Sequence, residues 1–338
     1  MPSSTSSFES ATTRSRILAW VAAAALAGLA AFGYESLLRS RGIRPSATDD
    51  PELWSVVRRG ASDDPHVLAL CGASRIQLGF SIEEARRVEP GVRVAQLAID
   101  GTNAVASYRD LAHDPTFRGV ALFSLLPGAL SPDVWEDQTP WVRRRAQGFS
   151  FDAAANRAWR AALQERFAVL APEAELRRAA RRLLTRGDLP DQKMVLRADR
   201  SRTADYSGFD LVEYSAWRLE RDRHGLEAAP RGPDYDRWLA AVDAVEEMTR
   251  RLQARGGRAV FFHDLVTGEY GDVYRRNFPA DRFWDVVRKR SSALCLSADE
   301  IPEIAKLVCP DGSHIDRTDS PAFTRALMGE LRRRGALP

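Results

Sequence analysis

The side chains of this sequence that could do covalent chemistry are a late acid–imidazole pair and an early hydroxyl. The loop Cys309-Pro310-Asp311-Gly312-Ser313-His314 places a carboxylate and an imidazole three residues apart. An imidazole can take a proton from a hydroxyl, while a carboxylate beside it orients the ring and stabilises the imidazolium. The matching hydroxyl lies far upstream, in Gly72-Ala73-Ser74-Arg75, directly after the apolar run of residues 66–72. Small residues ahead of Ser74 permit a tight turn into a helix whose first N–H groups point toward whatever the serine attacks. Taken singly, each feature has a plain structural reading: Asp-x-x-His as a turn, Ser74 as a helix cap. Their coincidence makes acyl transfer the chemistry to expect.

A third element belongs at the same place. Residues 92–100 read as a second strand, ending in Asp100-Gly101-Thr102-Asn103. Gly101 leaves its N–H unobstructed and Asn103 offers an amide, so with the Ser74 N–H they could stabilise an oxyanion. Asn103 as a cap of the following helix is the equal alternative. Arg75 could hold an anionic substrate group, but a structural ion pair is its expected role. His263 and Asp264 are expected to line the pocket or satisfy loop amides. A metal site combining them with Asp311 and His314 lacks further ligands at familiar spacing. His66, His113 and His224 show no partner pattern. Trp135, Trp141, Trp159, Tyr206, Trp217 and Trp238 are expected to pack, although a glycan groove would use such side chains.

The elements that must bring these groups together alternate. Apolar runs at 66–72, 92–100, 119–128, 258–266 and 292–297 read as strands. Helical patterns occupy 81–90, 103–114, 236–257 and 320–335, the last with Ser320 as cap and Pro321 at the first helical position. Residues 35–64 read as a polar linker and about 131–232 as a helical insertion, with an irregular piece from 195 to 210. Strand–helix alternation predicts a three-layer α/β fold, an open parallel sheet with helices on both faces. Active groups in such sheets gather beyond the carboxyl ends of the strands, where Ser74, Gly101 and the 311–314 loop all fall.

The blocks Gly72-Ala73-Ser74-Arg75, Asp100-Gly101-Thr102-Asn103 and Asp311-Gly312-Ser313-His314, in this order, resemble the SGNH (GDSL-like) hydrolase superfamily over residues 66–128 and 236–335. The resemblance implies that Ser74 is the nucleophile, His314 the general base and acid, Asp311 the orienting carboxylate and Gly101 an oxyanion-hole donor. It implies an SGNH/flavodoxin-like sheet and a reaction that needs no cofactor or metal. Two blocks depart from the pattern. The first lacks Gly-Asp-Ser, and after the third strand stands Leu125-Leu126-Pro127-Gly128 where the family carries Gly-x-Asn-Asp. Asn103 is the substitute donor on this reading. Similar departures occur in the membrane-anchored envelope branch that resembles polysaccharide O-acetyltransferase and teichoic-acid D-alanylation proteins.

The chain of 338 residues is long enough for one large α/β core, and its net charge of +3 makes no electrostatic case for nucleic acid. Nearly all its basic residues are arginine, and runs such as 143–145 and 332–334 are expected on solvated helix faces. Residues 17–34 carry no charge and suffice to cross a bilayer as a helix, following a polar 16-residue leader. The expected arrangement is a single-pass inner-membrane anchor with the body in the periplasm; Ala25-Leu26-Ala27 also suits a signal-peptide cleavage site. Cys295 and Cys309 could bridge in an oxidising compartment or remain free thiols. The expected partners are an acyl-ester or polysaccharide substrate, the membrane and an envelope-biosynthesis protein. The competing expectation is a non-catalytic envelope protein on the same scaffold, binding polysaccharide or a membrane partner.

Overall fold

A computed structural model describes residues 6–62, 64–148, 150–186 and 192–337. The chain divides into two compact units, residues 1–47 with 163–192, and residues 48–162 with 193–338.

The first unit is built on α1 (Ser6–Ser40). Within its segment Ser15–Ser40, an 18-residue window has a mean hydropathy of 1.9 and no buried residue, so the helix is long and apolar enough to cross a membrane. Trp20 and Phe32 are among its exposed apolar side chains. The last turns of α1 pack on two short 3₁₀ turns, Ala168–Leu170 and Pro172–Ala174, around Leu38 and Ile43. Glu35 accepts the N–H groups of Ala168 and Val169, and Tyr34 donates to the Ala174 carbonyl at 3.0 Å. The arginine-rich helix Leu176–Arg186 follows.

The second unit holds the sheet: β1 (Val67–Cys71), β2 (Arg93–Gln96), β3 (Val120–Leu125), β6 (Arg258–His263) and β7 (Leu294–Ser297). All pairings are parallel, and the order is β2-β1-β3-β6-β7. Chain direction across the sheet reverses between β1 and β3, which opens a crevice at the carboxyl ends there. Strand side chains alternate between two buried clusters. Val67, Ala69 and Cys71 face one, with Trp54, Tyr108, Phe123 and Trp238; Leu68 and Leu70 face the other, with Ile76, Phe262, Phe323 and Leu327. Burial on both faces explains why these strands read as continuous apolar runs. An antiparallel hairpin, β4 (Met194–Leu196) and β5 (Arg202–Ala204), occupies the stretch expected to be irregular.

Two features differ from the sequence expectation. Residues 51–59, inside the expected linker, form a helix capped by Asp50, with Pro51 opening its first turn. Its Trp54 donates to the Leu97 carbonyl, and its fully buried Arg58 pairs with Asp110 and Asp114. The closing helix starts one residue earlier than expected: Asp319 holds the cap position and Ser320 is already helical. Of the two alternatives for Cys295 and Cys309, the structure has free thiols, and Cys71 is free as well. Cys295 lies with the Trp54–Trp238 cluster and Cys309 with the Leu68–Phe323 cluster, so the sheet separates the pair that could have bridged.

Candidate active site

Ser74 is the first residue of a short helix, Ser74–Gly79, separated from the end of β1 by Gly72 and Ala73. Ala73, not Ser74, holds the cap position, and no side chain caps this helix. The Ser74 hydroxyl is therefore free for another partner. Gly72 makes the turn possible: a Cβ there would come within 2.4 Å of Ile76 and 3.1 Å of the Ser124 Cβ. Any larger residue would drive β1 away from β3 or push the helix outward.

That other partner is His314. Its Nε2 lies 2.7 Å from Ser74 Oγ, across 240 residues of sequence. Its Nδ1 lies 2.7 Å from Asp311 Oδ2. A carboxylate only accepts, so the geometry requires Nδ1–H toward Asp311, leaving the Nε2 lone pair for the serine hydroxyl. Asp311 Oδ1 accepts the backbone N–H groups of Ser313 and His314, at 3.0 and 2.7 Å, and so locks the turn. Gly312 supplies the left-handed step of this turn (φ +80), and a Cβ there would sit 2.4 Å from the Tyr270 Cβ. Ser74, Asp311 and His314 are all buried.

Burial sets the electrostatics. It would raise Asp311, but the His314 ring, hydrogen-bonded and close in charge, and the Ser313 N–H hold this carboxylate well below its usual range. Burial pulls the imidazole of His314 below its ordinary 6.5, opposed by Asp311. The ring is thus neutral near pH 7 and able to accept a proton.

The structure also shows a contributor that the sequence reading placed among packing residues. Tyr206, just beyond β5, donates its phenolic hydrogen to Asp311 Oδ2 at 3.1 Å. Among the described residues nothing in its sequence context, Asp205-Tyr206-Ser207, announces this role. A second is Gln138, fully buried, whose amide donates to the Gly72 carbonyl and Thr102 Oγ1. It ties the turn after β1 to the loop after β2.

The expected oxyanion donors divide. Among the described residues the N–H groups of Ser74 and Gly101 have no backbone acceptor, and Gly101 adopts φ +71. Asn103 is committed elsewhere: its Nδ2 donates to Asp137 Oδ2 at 2.8 Å and its N–H to the same oxygen at 3.2 Å. One of the two amide hydrogens is thus held by a carboxylate, a stronger acceptor than a neutral carbonyl. Nor does Asn103 cap a helix; the cap position of the helix Val105–His113 is Ala104.

His263 and Asp264 stand apart from Asp311 and His314. His263 stacks on Trp284 and meets Ser297 Oγ and Tyr274 Oη through its two nitrogens; burial lowers it to about 4. Asp264 accepts the Ser124 hydroxyl at 2.5 Å, and burial pushes it up to about 6. No group of three potential metal ligands gathers among the described residues. Among the described residues Arg75 does not make the ion pair expected of it; its Nη2 donates to the Tyr270 hydroxyl at 3.0 Å.

No protein-family model matches this sequence, and a comparison with curated proteins finds no significant match. The functional reading therefore rests on the geometry of the site.

Proposed function

We propose that this chain is an SGNH-like serine esterase or O-acyltransferase, held by α1 in the inner membrane with its catalytic body in the periplasm, acting on an envelope ester or glycan. The observation that carries the reading is the unbroken series Ser74 Oγ–His314 Nε2, His314 Nδ1–Asp311 Oδ2, each contact 2.7 Å long. A hydroxyl, an imidazole and a carboxylate in this order form a nucleophile, its base and the group that orients the base. Their places in the fold also support it, since Ser74 follows the first strand at the point where the strand order reverses.

In this mechanism Ser74 Oγ bonds to the ester carbonyl carbon as its proton passes to His314 Nε2. The carbonyl electron pair moves onto oxygen and is received by the N–H groups of Ser74 and Gly101. Collapse breaks the carbon–oxygen bond to the alcohol, which leaves with the proton from His314. Water, or the hydroxyl of a sugar, then gives its proton to His314 and attacks the acyl-serine; the second collapse breaks the bond from the acyl carbon to Ser74 Oγ, and His314 returns the proton to that oxygen. Asp311 stays ionised throughout, which its depressed protonation range favours. Turnover of 4-nitrophenyl acetate by the wild type, abolished in Ser74→Ala, supports this reading; equal turnover by both proteins contradicts it.

The second reading is a non-catalytic envelope protein on the same scaffold. Leu125 to Gly128 favours it, because these residues supply no side-chain donor after β3. Folded wild-type protein that neither turns over esters nor reacts with a fluorophosphonate selects that reading.

A further inference from the structure

Arginine stays charged at every accessible pH, so burying it without a counter-charge is costly. The most deeply buried arginines of this chain respect that rule. Fully buried Arg58 pairs with Asp110 and Asp114, and fully buried Arg200 pairs with Asp49. Arg157, 3% exposed, pairs with Asp50. Arg75, half-buried and next to Ser74, has no ion pair among the described residues. Its Nε is shut off from solvent without an acceptor, and Nη2 donates to the Tyr270 hydroxyl.

Two carboxylates, Asp264 and Asp222, act on Arg75 through space, but among the described residues neither hydrogen-bonds its guanidinium directly. Asp264 accepts from Ser124. Asp222 pairs with Arg218 and Arg221 and accepts from Tyr270 at 3.3 Å. A guanidinium with an idle Nε, in the residue directly after Ser74, has the donor chemistry of a carboxylate site.

We propose that Arg75 receives a carboxylate carried by the substrate next to the ester that Ser74 attacks. The substrate class is then a monoanionic ester, with the free acid on the acyl group, as in a dicarboxylic half-ester, or on the alcohol, as in an acetylated hydroxy acid or uronic acid. The inference rests on the proposed role of Ser74 and narrows it.

The test is calorimetric titration of the full-length Ser74→Ala protein in detergent, so that no ligand is consumed. Monomethyl succinate carries the acid on the acyl side, O-acetylglycolate carries it on the alcohol side, and dimethyl succinate is the neutral control. At least one monoanion should bind tenfold or more tightly than the control. Adding Arg75→Gln should shrink that preference to within about twofold, whereas Arg75→Lys should keep part of it. The better monoanion identifies the side of the ester that bears the acid. Equal affinity for charged and neutral ligands, no saturable binding of either monoanion, or a preference that survives Arg75→Gln overturns the proposal. Should Arg75→Gln not fold, the comparison of monoanion with control in Ser74→Ala alone decides. Fluorophosphonate labelling of the wild type separates the two levels. A labelled protein without anion preference loses only the Arg75 assignment, and an unlabelled protein with that preference loses only the nucleophile.

Discussion

The phenolic hydroxyl of Tyr206 and the Nδ1 of His314 converge on one atom, Asp311 Oδ2, at 3.1 and 2.7 Å. The carboxylate is thereby fixed in rotation as well as in charge, since its other oxygen is held by two backbone N–H groups. Tyr206 acts through Asp311 and is a positioning residue. Tyr206→Phe leaves a buried carboxylate one donor short, which costs about 1–3 kcal/mol of stability. Turnover should fall by about tenfold. The less stabilised carboxylate attracts the imidazolium more strongly, so the acid limb of the pH–rate profile should move to higher pH. A profile that keeps its midpoint while stability falls would show Tyr206 to be structural only.

The protonation of His314 gives a second prediction. Its ring must be neutral to accept the serine proton, and burial holds its pKa below 6.5. Activity should therefore persist on acidification until the pH drops below that ordinary histidine value. Asp311→Asn removes the group that opposes the effect of burial, so the acid limb should move lower still. Turnover in that variant should fall by about 10³–10⁴-fold, because the tautomer is no longer specified. An acid limb at or above 6.5 in the wild type, measured as kcat/KM against pH, contradicts the buried, neutral imidazole.

Asp264 offers a test that is independent of turnover. Burial raises it from an ordinary 3.8 to about 6, against the pull of Arg75 and Ser124. A folded-state pKa above the unfolded value means stability that is fully present below about pH 3.8 and lost as pH rises through about 6. The rise corresponds to about 3 kcal/mol. Asp264→Asn has no such loss, so its unfolding free energy relative to wild type should improve between pH 4 and pH 7 and then level off. A difference that stays constant over this range, followed by chemical denaturation, would contradict a buried ionisable Asp264.

How much of this was legible depends on how each group is held. Ser74 and the Asp311–His314 pair could be read because each lies in a short polar segment tied to a strand end, where local sequence fixes the neighbourhood. The parallel sheet could be read because its strands are buried on both faces and keep no polar alternation. Tyr206 could not, because its bond to Asp311 spans 105 residues and is set by how the hairpin β4–β5 packs. The helix over residues 51–59 was hidden for a similar reason: its buried Arg58 looks like a solvent residue until Asp110 and Asp114 are placed beside it. The bond from the Asn103 amide to Asp137 was hidden in the same way, because Asp137 lies 34 residues away.

The central claim is that Ser74 is a nucleophile activated by His314. Peptide mapping of a fluorophosphonate adduct by mass spectrometry tests it most directly. The adduct should lie on Ser74 of the wild type, be absent from Ser74→Ala, and form at least about a hundredfold more slowly in folded His314→Ala. An adduct on another serine, or labelling of His314→Ala at the wild-type rate, would contradict the account.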